Sequence, residues 1–272
     1  MESILNISAY KFAALSDTAR WRERIRAQAQ ALGLKGTVLL ADEGINLFVA
    51  GAESGVRAFL AWLTAHAPFD DLPIKESWSS AVPFGKLLVK VKPEIIRMNH
   101  PTIRPHAQRA PAVDARTLAR WLDAGVDDAG RAVVTLDTRN AFEVDHGRFE
   151  GARSLGIGKF SEFPQALAAH RAELEGKTVV TYCTGGIRCE KTAAWMHDAF
   201  GIEVHQLEGG ILRYLAATPD AQADWRGECF VFDNRIALDA RLHETATSAA
   251  EVYAGEPDAA WRLQRAQRLA GT

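Results

Sequence analysis

Residues 179–191 read VVTYCTGGIRCEK. The apolar run Val179 to Tyr182 has the length and β-branched content of a buried strand. It leads straight into Cys183, Thr184, Gly185, Gly186, Ile187 and Arg188, and helical periodicity then runs from about Cys189 to Phe200. Strand, glycine-bearing loop and helix in that order make a cradle for negative charge. The paired glycines let backbone N–H groups converge on one point, the helix start adds its positive end, and Arg188 adds a full charge. The same field lowers a thiol pKa, so Cys183 is expected to be a thiolate, nucleophilic near neutral pH. The competing reading of Cys183 is a small buried hydrophobe at a strand end.

Outward from this loop, strands alternate with helices from Ala112 onward. Residues 133–137 and 204–207 read as strands and the stretch around Ala141 as a polar helix, which implies a parallel sheet. The first hundred residues carry a different pattern. A strand from Ile4 is followed by a Ser16-Asp17 helix start with Trp21, Ile25, Ala29 and Leu32 at helical spacing. GTVLLADEGINLFVAG then reads as a hairpin turning at Asp42-Glu43-Gly44. A second helix carries Val56, Phe59, Leu60 and Leu63 on one face, and KLLVKVK supplies a closing strand. The order βαββαβ is that of a ferredoxin-like (acylphosphatase-like) sandwich, α/β in class, with both helices on one face of an antiparallel sheet. Its open face is expected to carry Lys86, Lys90 and Lys92, as a solvated surface or as a binding one.

The expected organisation is a ferredoxin-like domain over 1–97, a linker over 98–111, an α/β domain over 112–218 and a C-terminal extension over 219–272. The linker is rich in proline and holds His100, Arg104, His106 and Arg109, with the histidines read as polar surface. The extension has one dense patch, DWRGECFVFDNRIAL, then an alanine- and arginine-rich tail expected to be an amphipathic helix or partly frayed. With 47% hydrophobic and 24% charged residues the chain has the composition of a globular protein. Three cysteines are too few for a disulfide framework, which favours free thiols. The N-terminus lacks a signal-peptide pattern and no apolar run has membrane-spanning length, so a cytoplasmic protein without membrane or obligate protein partner is expected. A net charge of -2 neither supports nor excludes a nucleic acid partner.

At the cysteine loop the sequence resembles the rhodanese superfamily, over roughly Val113 to Ala217. Asp137-Thr138-Arg139, Glu143 and the stretch from His146 to Ala152 look like that family's first-strand signature, and Leu207-Glu208-Gly209-Gly210-Ile211 like its closing one. The resemblance implies that Cys183 stands where active rhodaneses hold a persulfide. Its loop length matches the sulfur-handling branch, whereas related phosphatases have one residue more. Cys189 is either a resolving thiol for an oxidised or persulfidated Cys183 or a packing residue, and Cys229 is expected to be buried.

The whole chain narrows the resemblance further. LADEGIN, YCTGGIRCEK and GECFVFDNR together resemble the bacterial tRNA uridine(34) hydroxylase family over about residues 1 to 240. That resemblance implies hydroxylation of C5 of the wobble uridine with molecular oxygen, giving 5-hydroxyuridine, and a tRNA anticodon loop as partner. No bound cofactor is identifiable: dinucleotide fingerprints, iron triads and zinc-ligand spacings are all missing from the pattern. Longer members continue into a cysteine-rich segment, and this chain has no cysteine after Cys229. Lys86, Lys90, Lys92, Arg104 and Arg109 are the expected phosphate contacts, with Cys183 and Arg188 facing the base. A sulfurtransferase carrying a persulfide on Cys183 is the alternative activity, and a non-enzymatic RNA binder the third reading.

Overall fold

The computed structural model describes residues 3–100, 103, 105, 110–202, 204–219, 224–256 and 258–270. The chain divides into two compact units, Met1–Arg97 with Pro257–Thr272, and Met98–Glu256. The segment 98–111 therefore groups with the second unit and the C-terminal tail with the first.

In the first unit the described strands and helices run β1 (Ile4–Phe12), α1 (Thr18–Ala31), β2 (Lys35–Ala41), β3 (Gly44–Ala52), α2 (Glu53–Thr64), β4 (Ile74–Ser79) and β5 (Leu87–Val91). They form a five-stranded sheet of order β4-β1-β3-β2-β5. The β2–β3 hairpin closes on Ala41↔Gly44, leaving Asp42 and Glu43 as its two-residue turn. Gly44 is required there: its φ is 143°, and a Cβ would stand 2.0 Å from the Lys11 carbonyl oxygen of β1. Alternation puts Leu5, Ile7, Val38, Leu40, Ile45, Leu47 and Val49 in one core with Val56, Phe59 and Leu63 of α2 and Ile25 and Ala29 of α1. Each large apolar side chain so buried contributes about 1.5–3 kcal/mol against the entropy of ordering it.

The ferredoxin-like arrangement holds with one correction. The stretch KLLVKVK is not the fourth strand but a fifth, added parallel to β2. The fourth is Ile74–Ser79, an edge strand antiparallel to β1. Its sequence, IKESWS, lacks an apolar alternation because an edge strand covered on one side by solvent needs none. Asn6 helps bind it, donating through Nδ2 to the Ser77 carbonyl at 3.3 Å and the Ser79 hydroxyl at 3.0 Å. Lys90 points away from the core that Val89 enters, and Lys86 and Lys92 flank the strand, all three exposed.

The second unit runs β6 (Ala112–Val113), α3 (Ala115–Ala124), β7 (Val133–Asp137), α4 (Ala141–His146), β8 (Gly147–Phe149), β9 (Arg153–Ser154), α5 (Phe163–His170), β10 (Thr178–Tyr182), α6 (Ile187–Phe200), β11 (His205–Leu207) and α7 (Gly210–Ala217). After these come β12 (Trp225–Gly227), β13 (Cys229–Phe230), β14 (Ala237–Leu238) and α8 (Ala249–Val252). The sheet is parallel, of order β6-β11-β10-β7-β9, so its central strand is the apolar run that precedes Cys183. Every residue of β10 is buried, as a strand covered on both faces should be. Below it Phe149 meets Tyr182, Tyr214 and Trp225 edge-on, with ring centroids 4.8, 4.7 and 5.3 Å away. The tail of the chain forms α9 (Ala259–Ala270). Among the described residues no helix is long and apolar enough to cross a membrane.

Candidate active site

Cys183 stands at the carboxyl end of the central strand, only 1% exposed. Helix α6 begins at Ile187, two residues earlier than periodicity indicates, and Gly186 before it has φ 100°. That left-handed turn aims the Gly186 N–H inward, where it donates to the Cys183 Sγ at 3.0 Å. The loop's carbonyls are held from the other side. Ile211 N–H donates to the Cys183 carbonyl at 3.0 Å and Leu212 N–H to that of Thr184 at 3.2 Å. Both donors belong to the first turn of α7, whose N–H groups have no intrahelical acceptor. Gly210 makes this docking possible: a Cβ there would lie 2.4 Å from the Cys183 carbonyl oxygen and 2.8 Å from the Gly186 nitrogen.

Arg188 is buried, and its guanidinium forms a two-pronged pair with Glu143, 2.6 Å from Nη1 to Oε2 and 2.7 Å from Nη2 to Oε1. Glu143 also accepts from the Asn140 N–H at 3.1 Å, which caps α4 and fixes the carboxylate. Arg188, expected to face the base, is turned toward Glu143 in this structure. Its fork is committed to Glu143, and its charge acts on Cys183 through space. Asp137 and Arg139 form a second buried pair at 2.6 Å. Arg139 further donates to the carbonyls of Gly147 at 2.6 Å and Glu143 at 3.3 Å. This pair braces the floor of the site from beneath, since Asp137 is the register partner of Tyr182.

Burial alone would raise the pKa of Cys183. A hydrogen bond from Cys189, the charge of Arg188 and the N–H groups of Arg188 and Gly186 outweigh it and hold the thiol well below its ordinary range. Cys189 moves the other way, raised by burial and by donating to Cys183. Its Sγ lies 3.9 Å from the Thr138 hydroxyl. The two thiols are thus pushed in opposite directions, Cys183 toward the anion and Cys189 toward the neutral form. Cys229 is fully buried, and burial pushes it up to about 12.

Replacing Cys189 with alanine removes one of the donors to the Cys183 sulfur. Thiolate absorbance in the ultraviolet, followed against pH with a Cys183→Ser subtraction, should then show the Cys183 transition shifted upward. An unchanged transition would mean that Cys189 only fills space.

The comparisons with known proteins agree with this geometry. Residues 4–95 match the UPF0176 acylphosphatase like domain and residues 118–217 the Rhodanese-like domain. A protein of Bordetella avium called tRNA uridine(34) hydroxylase is 60% identical over 240 residues, 88% of this chain and 98% of that one. The chain belongs to the tRNA uridine(34) hydroxylase family. A member from Variovorax paradoxus is 58% identical over 256 residues, covering 92% of this chain and 96% of its own. One from Delftia acidovorans is 59% identical over 242 residues, 89% and 91% of the two chains.

Within this family member the structure gathers Cys183, Thr184, Gly185, Gly186, Ile187, Arg188 and Cys189 in one place, with Asp137 and Arg139 beneath. Lys86, Lys90 and Lys92 belong to the other unit. Arg104 and Arg109 lie outside the described residues, as does His106. Two participants had no assigned role in the sequence reading, although both fall in its signature stretches: Glu143, which holds Arg188, and Gly210, which lets α7 approach the loop. Among the described residues no group of three or more His, Cys, Asp and Glu is placed to hold a metal ion.

Proposed function

We propose that this protein hydroxylates C5 of the wobble uridine, U34, in tRNA anticodons to give 5-hydroxyuridine, with molecular oxygen as co-substrate and Cys183 as the essential thiol. One observation carries the reading: relatives sharing more than half of their residues over nearly the whole chain are named tRNA uridine(34) hydroxylase. The site supplies what the chemistry asks of the chain. Cys183 is the nucleophilic sulfur, the Gly186 N–H and the Arg188 charge stabilise its anion, and Glu143 keeps Arg188 in position. Lys86, Lys90 and Lys92 are assigned to the phosphate backbone of the tRNA, and a tRNA substrate places the protein in the cytoplasm.

The rhodanese-type alternative, a persulfide on Cys183 passed to an acceptor, rests on the same sulfur cradle, because N–H groups that stabilise a thiolate also suit a persulfide anion. Mass spectrometry of tRNA nucleosides separates the two. Cells lacking the protein should lose 5-hydroxyuridine and its derivatives at position 34, and the purified chain, supplied with oxygen and a two-electron reductant that takes the second oxygen atom to water, should restore it to their tRNA. An unchanged nucleoside profile, together with sulfane-sulfur transfer by the purified chain, would replace the proposed function with the alternative.

A further inference from the structure

Strands β8 and β12 pair antiparallel, and their register sets Arg148 directly opposite Arg226. Opposite residues project from the same face with Cβ atoms about 5 Å apart, and like charges so placed repel. Glu150 pairs with Arg226. Arg153, on the neighbouring β9, lies 3.5 Å from Glu173. Among the described residues no carboxylate pairs with Arg148. These three arginines and Glu150 line an open cleft of about 340 Å³, together with Ser154. The cleft thus carries more positive than negative charge, and Glu150 offsets only part of the repulsion between Arg148 and Arg226.

Its position is informative. Ser154 pairs with Asp137, and Asp137 with Tyr182, the residue before Cys183. Ser154, the carboxyl-terminal residue of β9, therefore borders the cleft at the level of Tyr182, two strands over in the parallel sheet, about 10 Å from it at the usual spacing between strands. Ligands of open α/β sheets gather at the carboxyl ends of the strands. The backbone under the arginines is rigid, because buried Arg139 clamps the Gly147 carbonyl next to Arg148 and Gly147 packs against the Glu228 backbone.

We propose that this cleft binds the sugar-phosphate backbone of the RNA strand whose uridine is presented to Cys183, with Arg148 and Arg226 sharing one phosphodiester. The inference rests on the proposed tRNA substrate. A guanidinium fork matches phosphate oxygens two at a time, and an anion between two such forks turns their repulsion into attraction. Arg153 then meets an adjoining phosphate. Neither Arg148 nor Arg226 takes part in the network around Cys183, so their contribution is to docking.

The test uses the full-length protein and its R148Q/R226Q variant, with tRNA affinity measured by filter binding across a salt series. The variant should bind about tenfold or more weakly at low salt. Its plot of log affinity against log salt should be shallower by about 0.7, the contribution of the one shared phosphate on a single strand. R148K/R226K, which keeps the charges, should retain most of the slope. R148Q alone should leave the thermal midpoint unchanged or raise it, since it removes a repulsion; a clear fall would mean that Arg148 serves the fold and would overturn the assignment. Equal affinity and slope in R148Q/R226Q would overturn the cleft as an RNA site while leaving the hydroxylase reading intact. A wild-type protein without salt-dependent tRNA binding would overturn both.

Discussion

The Cys183→Ser variant should form 5-hydroxyuridine at less than about one-thousandth of the wild-type rate, in the range seen when a nucleophile is removed from an intact site. The reason is charge rather than size. Gly186, Arg188 and Cys189 together stabilise an anion at this position, and a serine hydroxyl is far too weak an acid to become one there. The change is nearly isosteric and the surrounding hydrogen bonds from α7 go to the backbone of residues 183 and 184, so the fold should survive. Nucleoside mass spectrometry of tRNA incubated with the variant, read beside its thermal unfolding, checks both halves. Substantial activity from a folded Cys183→Ser protein would remove the thiol from the chemistry.

The Glu143→Gln variant should lose much of the stability of the second unit. Glu143 and Arg188 are both buried, and taking one partner from a buried ion pair leaves an uncompensated charge at a cost of about 3–5 kcal/mol. For a domain of this size that corresponds to a fall of roughly 10 °C in thermal midpoint. The effect on Cys183 should have the opposite character. With Glu143 neutral, the Arg188 charge is no longer offset, so the Cys183 thiol should become more acidic and its ultraviolet thiolate transition should move to lower pH. A merely loosened fold would let water in and move that transition toward the value of a free thiol. A midpoint within a few degrees of wild type would show that the pair is not a stabilising unit.

Local features were legible without coordinates because their physics is local. The strand, loop and helix around Cys183 announce themselves through an apolar run, two glycines and a return of helical spacing. The hairpin at Asp42-Glu43-Gly44 does so through a turn and a glycine. What escaped depends on pairings across long stretches of chain. Glu143 and Arg188 are 45 positions apart, and nothing in either neighbourhood indicates that the two will pair. Gly210 matters only because α7 docks on the cysteine loop, and the Arg148–Arg226 juxtaposition exists only through the register of β8 and β12. Strand β4 was missed for a different reason: an edge strand made of polar residues leaves no periodic trace.

The 1% exposure of Cys183 gives this anion an unusual chemical personality. A buried thiolate is intrinsically reactive yet meets reagents only during the moments when its surroundings part. An alkylating probe would accordingly report a product of two quantities, the reactivity of the open state and the fraction of time it is open. Any RNA that stabilises the open arrangement would sensitise Cys183 to such a probe, so that labelling speed becomes a direct gauge of substrate engagement.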